Sequence, residues 1–219
     1  MSQRIKLLFV IVVSALALLI GYLYKYQQLV NEGSYLADEH CIKVNPLIIA
    51  RKNDYRDEMK LMMASASAED VQNALSKYAK ASNAYQDEEK KWLEKQRKYL
   101  DGKIFKLVIP SYVREGAEFQ YQMYQPEYNS SLYLSQAFVE NDQTKQEELF
   151  RKVVDETAKS KDAGDKYNVA WERNKGRSDW QNNFIKVPQS KCPAENFNIP
   201  DVPNPFIPKI PSGNDHIAG

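Results

Sequence analysis

The chain has 219 residues, with 30 basic and 29 acidic side chains and a formal net charge of +1 at neutral pH. This balance argues against a nucleic acid as the main ligand, because phosphate binding needs a surplus of Lys and Arg on one face. The eight glycines are scattered, and neither of the two histidines lies in a recognisable nucleophile motif. We therefore predict that the protein is not an enzyme and binds no nucleic acid, cofactor or metal.

Residues 7–24 form an uncharged apolar run near the N-terminus. A helix rises ~1.5 Å per residue, so roughly 20 apolar residues cross the hydrocarbon core of a bilayer. Tyr22, Tyr24 and Tyr26 stand where an interfacial aromatic belt would stand. A signal peptide cleaved after the small-x-small residues 15–17 is the alternative. Because the apolar run continues past that point, we expect an uncleaved anchor that contacts the lipid bilayer through residues 7–24.

The basic residues around the run indicate its orientation. Arg4 and Lys6 precede it and Lys25 follows it. The positive-inside rule then places residues 1–25 as a cytoplasmic start plus anchor and exports the rest. We expect a single-pass protein of the cell inner membrane with a periplasmic head.

Cys41 and Cys192 flank nearly the whole predicted head. An even pair of cysteines in an oxidising compartment predicts a disulfide. A Cys2His2 metal site with His40 and His216 is the alternative, but zinc ligands usually come in close pairs from each side. Two free thiols are the remaining interpretation.

The local signals predict a spacer followed by helices. Residues 26–44 show no firm periodicity, and the membrane helix is expected to end near Gly33. Asn45 is a natural cap for a first helix, with Pro46 at its first position. A second helix should begin at Ser67, which has Asp70 at capping-box spacing, and should end at Gly102.

The second helix carries two rows at heptad spacing. The first row is apolar throughout and is predicted to be the core seam: Val71, Tyr78, Tyr85, Trp92, Tyr99. The second is apolar only at its start, so a sustained two-row coiled coil is not predicted: Leu75, Ser82, Glu89, Gln96. The acidic pairs Glu88–Glu89 and Glu147–Glu148 are interpreted as solvated faces.

A third helix is predicted over residues 145–175, where one stripe repeats at spacings of three and four: Phe150, Val153, Thr157, Ser160, Gly164, Tyr167, Trp171, Asn174. We expect the second and third helices to pair antiparallel, so that residues 45–187 form an elongated helical bundle and the fold class is mainly α. Residues 103–142 fit either a small β-hairpin insert or two short helices broken at Pro126. Helix is favoured because the flanking segments are helical.

Residues 188–219 hold seven of the ten prolines and predict an extended tail. Six apolar residues there are expected either to lie along the head or to dock on another protein: Phe197, Ile199, Val202, Phe206, Ile207, Ile210. With the anchor and the bundle, this tail favours a scaffold or accessory subunit that binds other membrane or envelope proteins in an assembly. The alternative is a glycan or small-ligand sensor that uses a tyrosine-rich surface: Tyr112, Tyr121, Tyr124, Tyr128, Tyr133.

Overall fold

The computed structural model describes residues 3–63, 67–174 and 184–193, and within these ranges it contains helices and no strand. The helices are α1 (Gln3–Glu39), a π-helical turn (His40–Val44), α2 (Asn45–Met63), α3 (Ala68–Asp101), α4 (Lys103–Val108), α5 (Ser111–Val139) and α6 (Gln143–Asn174). The prediction of a mainly α protein is confirmed.

The N-terminal helix α1 is long and apolar enough to cross a membrane. Its large apolar side chains are exposed over residues 5–20, with Leu18 at 76%. Such a surface is unfavourable in water, because each Å² of apolar area left exposed forgoes about 25 cal/mol of stabilisation by burial. The surface matches what an anchor would present to lipid.

The anchor helix does not end at Gly33, and this prediction is wrong. The helical run passes through the π-turn into α2. Asn45 is not a cap, because its backbone is α-helical and its N–H donates to the carbonyl of His40, five residues back. Pro46 has no N–H to give to the preceding turn, so the chain widens into a π-turn there instead of stopping.

The bounds of α3 follow their local signals. The Asp70 N–H donates to Ser67 Oγ at 3.2 Å, as the capping-box spacing predicts. The helix ends at Asp101, and the N–H of Gly102 closes the last turn on the Tyr99 carbonyl. Gly102 has a φ of −56°, so its place here does not depend on the left-handed conformation that glycine allows.

Residues 103–139 are helical and include the central helix of the bundle. Pro126 lies buried inside α5 and does not break it, contrary to the prediction of two short helices. Tyr121, Tyr124 and Tyr128 repeat at helical spacing and pack against the core side of α3. Burial of this face offsets the hydrogen bond that the proline removes.

The expected pairing of the two longest amphipathic helices is wrong. Helix α3 packs on α2 and α5, whereas α6 packs along the other side of α5. The α5–α6 pair is antiparallel, since Gln146 Nε2 donates to the Ala137 carbonyl at one end and Arg173 pairs with Glu115 at the other. Trp171, expected in the seam, is 59% exposed. It lies near the end of α6, on the side that faces away from the buried Ala170.

Two apolar clusters form the core. One lies beside the end of the apolar run and contains Tyr26, Leu100, Phe105, Val108 and Ile109. The other lies further along the bundle and contains Val44, Ile48, Tyr85, Trp92 and Leu93. Tyr85 and Trp92 are 0% and 2% exposed, so the aromatic row of α3 is core.

Candidate functional site

The polar residues of the second row of α3 are also buried, which the sequence interpretation missed. Ser82, Glu89 and Gln96 are all at most 4% exposed. Helix α3 lies between α2 and α5, so both of its heptad rows face a neighbouring helix. The interpretation of Glu89 as part of a solvated face is therefore wrong, and the buried polar groups define the candidate site.

The centre of this site is a hydrogen bond between His40 Nε2 and Glu89 Oε2 at 3.0 Å. The two side chains are 4% and 0% exposed. The ring of Trp92 lies 4.4 Å from the imidazole centroid and the ring of Tyr124 lies 4.2 Å from it. His40 is placed by the π-turn, a feature that often occurs at functional sites.

Burial raises the pKa of the Glu89 carboxyl, and the hydrogen bond from His40 offsets only part of that effect. The second oxygen, Glu89 Oε1, is buried without a hydrogen-bond partner among the described residues. An unpaired acceptor in this environment is costly. The carboxyl therefore depends on His40 more than a surface carboxylate depends on its neighbour.

A second charged group approaches the same core from α2. The guanidinium of Arg51 lies 4.1 Å from the centroid of the Tyr85 ring, a cation–π distance. Burial raises the pKa of the Tyr85 hydroxyl well above its usual range, with Glu89 adding to the effect and Arg51 opposing it. Arg51 Nη1 and Tyr85 Oη are buried, and neither has a hydrogen-bond partner in the described ranges.

Arg51 also borders a cleft of about 220 Å³ between α2, α3, α5 and α6. Four hydroxyl side chains line it, together with two tyrosine rings and a mixture of charges: Ser130, Ser131, Thr157, Ser160, Tyr55, Tyr78, Lys52, Glu127. Guanidinium and hydroxyl groups can donate hydrogen bonds to a small polar ligand, and aromatic rings can pack on its apolar face. The cleft is therefore a candidate site for a small molecule.

Beside the cleft, a cluster of small polar residues joins α3 to α5. Ser82 Oγ lies 3.2 Å from Ser131 Oγ and 3.1 Å from Ser135 Oγ. Gln86 Nε2 donates to the Ser131 carbonyl at 3.1 Å. These groups satisfy one another, so the cluster holds the two helices together at close approach and is not a free binding surface.

The third element of the site is a C-terminal strap, residues 184–193, which lies along α1. The Gln27 side chain pairs with the backbone of Lys186, donating to its carbonyl at 2.7 Å and accepting from its N–H at 2.8 Å. Asp38 accepts from the Ser190 hydroxyl at 2.7 Å and from the Lys191 N–H at 3.1 Å. Cys192 then closes the strap by a disulfide to Cys41, with the Cα atoms 5.7 Å apart.

The strap is extended and parallel to α1. Its contacts advance from Gln27 to Cys41 on the helix as they advance from Lys186 to Cys192 on the strap. Those helical residues span ~21 Å at 1.5 Å each, and the six steps of extended chain reach ~20 Å. The two lengths match, so the strap leads away from the apolar end of α1.

The predicted site residues fall in three places. Cys41 and Cys192 are joined, so neither thiolate is available as a metal ligand. Of the five tyrosines proposed for ligand binding, Tyr121, Tyr124 and Tyr128 pack against the second core cluster, and none of the five lines the cleft. The six apolar tail residues, beginning with Phe197, lie outside the described residues.

Within the described ranges, no group of three or more His, Cys, Asp or Glu side chains is arranged to hold a metal ion. Comparison with protein-family models, curated proteins and solved structures finds no match.

Proposed function

We propose that the protein is a single-pass membrane scaffold that binds protein partners in an envelope-associated assembly, with the N-terminus in the cytoplasm and the helical head in the periplasm. The observation that carries the proposal is the strap. A covalent bond and paired hydrogen bonds fix residues 184–193 to the helix that carries the anchor. This attachment holds the start of the proline-rich segment at a defined place beside α1.

The geometry supports a role in presenting the tail. Cys41 lies 17 residues beyond the end of the 7–24 run, which is ~25 Å along a helix. The proline-rich residues 194–219 begin at this fixed point. Prolines reduce the entropy lost when such a segment is ordered on a partner, and its apolar residues supply contact area. In this proposal the head is a rigid spacer and the tail is the docking segment.

A pulldown from detergent-solubilised membranes tests this role. The full chain is compared with a variant lacking residues 195–219 and with one in which the same residues are scrambled. Both variants keep the disulfide and the head, so loss of the same co-purifying proteins from both supports sequence-specific docking by the tail. An unchanged partner list in the deletion variant refutes it.

Binding of a glycan or another small ligand is the second candidate function, and the cleft favours it. Arg51 lines this cleft together with four side chains that carry hydroxyl groups. Saturation binding of N-acetylglucosamine oligomers to the wild type, Arg51→Gln and Tyr121→Ala separates the locations. Loss only in Arg51→Gln places the ligand in the cleft, and loss only in Tyr121→Ala places it on the tyrosine face. No saturable binding by the wild type rejects this class of ligand.

A further inference from the structure

We propose that α4 lies in the interfacial layer of the same bilayer that α1 crosses. Ile104 and Leu107 would contact the acyl-chain boundary, and Lys103 and Lys106 would lie beside the lipid phosphates. The inference rests on the anchor in the proposed function, and it goes further by giving the head a second, peripheral contact with lipid.

The position of α4 along α1 is the first argument. The Tyr22 hydroxyl donates to the Val108 carbonyl at 3.1 Å. Tyr26 lies in one apolar cluster with Phe105 and Val108. Tyr22 and Tyr26 bracket the end of the 7–24 run, so α4 is held at the level where the anchor would leave the hydrocarbon.

The division of α4 into two faces is the second argument. Phe105 and Val108 are buried against α1 and α3. Ile104 and Leu107, which lie at i,i+3 spacing on a face adjacent to the buried one, are 51% and 84% exposed. Two large apolar side chains left uncovered on a six-residue helix suit a second apolar environment, and a bilayer at this level would provide one.

The charges of α4 fit lipid rather than an apolar protein surface. Lys103 and Lys106 flank the exposed apolar pair and are themselves exposed. Lys106 Nζ is 3.4 Å from Asp101 Oδ1, a loose contact that leaves the ammonium group accessible. Long basic side chains extend toward phosphates while their stems cover apolar area.

The same end of the bundle carries another interfacial residue type. The ion pair between Arg173 and Glu115 brings the end of α6 beside the start of α5, which directly follows α4. Trp171 is exposed there, and tryptophan is enriched at membrane–water interfaces. Ile104 and Leu107 belong to a helix that packs on α1 where its exposed apolar run ends, so the occupant of this face is the bilayer and not a second protein.

Fluorescence quenching in nanodiscs tests the inference on the full chain. The native cysteines are joined to each other, so one added cysteine can be labelled with an environment-sensitive dye without reduction. Leu107→Cys reports on α4. Val139→Cys is the matched control, because Val139 is similarly exposed at 77% but lies at the far end of α5. Ile11→Cys reports on the anchor. Nanodiscs holding one copy each contain phosphatidylcholine and phosphatidylglycerol with nitroxide-labelled acyl chains.

We expect the Leu107→Cys label to emit at shorter wavelength than the Val139→Cys label and to be quenched several-fold more. We also expect Lys103→Gln/Lys106→Gln to reduce this quenching when phosphatidylglycerol is present. If Leu107→Cys behaves like Val139→Cys while Ile11→Cys is quenched, the interfacial role of α4 is refuted and the anchor stands. If Ile11→Cys is also unquenched, the anchor itself fails. A blue-shifted but unquenched label at Leu107→Cys shows that protein covers the site, which also overturns the inference.

Discussion

Replacement of His40 by leucine should destabilise the protein in a strongly pH-dependent way. The substitution keeps an apolar side chain between Trp92 and Tyr124 but removes the hydrogen bond to Glu89. The Glu89 carboxyl is then fully buried without a partner, so folding requires it to be neutral. Its pKa, already raised in the wild type, rises further.

The ordinary pKa of a glutamate, 4.5, sets the size of the effect. Protonating such a carboxyl at pH 7 costs about 3.4 kcal/mol, since each pH unit above 4.5 is worth about 1.36 kcal/mol. This value is an upper limit for the destabilisation by His40→Leu, because the pKa of Glu89 is already raised in the wild type. The penalty falls to about 0.7 kcal/mol at pH 5 by the same relation. A raised carboxyl pKa makes the native state bind more protons than the unfolded state, so stability is lost as pH rises through this window.

Guanidinium unfolding followed by circular dichroism at pH 5, 6 and 7 measures the effect. The matched control compares the free energy of unfolding of His40→Leu/Glu89→Gln with that of Glu89→Gln. In this pair Glu89 no longer titrates, but the imidazole is still lost. We expect a penalty that grows more steeply with pH in the wild-type background than in the Glu89→Gln background. Equal penalties at pH 5 and 7, or the same slope in both backgrounds, would refute a buried carboxyl that depends on His40.

Two further predictions concern the attachment of the strap and the contact between α1 and α3. The double substitution Cys41→Ser/Cys192→Ser removes a disulfide that spans 151 residues. The chain-entropy model values its contribution to the free energy of unfolding at up to about 5 kcal/mol. Trypsin should then cut after Lys191 faster than in the wild type. Gly33→Ala places a Cβ 2.9 Å from the Tyr99 hydroxyl and should lower the melting temperature. Tyr99→Phe removes the clashing oxygen, so Gly33→Ala should cost less in that background, and an equal cost in both would contradict the contact.

The parts of the fold that follow local chemistry could be predicted from the sequence. Ser67 caps α3 by accepting a hydrogen bond from the Asp70 N–H, and the aromatic row including Tyr85 and Trp92 is buried because heptad spacing places it on one side of the helix. These two predictions need no knowledge of which segments pack against α3. The disulfide joins distant segments, but two cysteines allow only one pairing.

The parts that depend on distant contacts were missed. Glu89 was placed in solvent because its row is polar, yet its partner His40 lies 49 residues earlier on another helix. The pattern of apolar residues does not identify a helix face that is buried through hydrogen bonds. A polar residue at heptad spacing beside an aromatic row is the signal that could have indicated such a face.

Another error has a similar cause. Gly33 is interpreted from the sequence as a helix end, but the closeness of Tyr99 gives a packing reason for glycine within the helix. For residues 103–142 the sequence fits both a β-hairpin and the favoured helices, and the packing of α5 on α3 distinguishes them.

Helices α1 and α2 form one continuous helical run, and the π-turn between them sets how far α2 is rotated about the helix axis relative to α1. Inward-facing residues recur every fourth position from Leu36 through His40 and Val44 to Ile48, a spacing that would drift ~40° per step in an ideal α-helix. The wider turn absorbs part of this drift. Deleting one residue there, such as the exposed Ile42, would shorten the rod by only ~1.5 Å but rotate α2 by ~100° relative to α1. The number of residues in this turn therefore determines on which side of α1 the head lies relative to the strap.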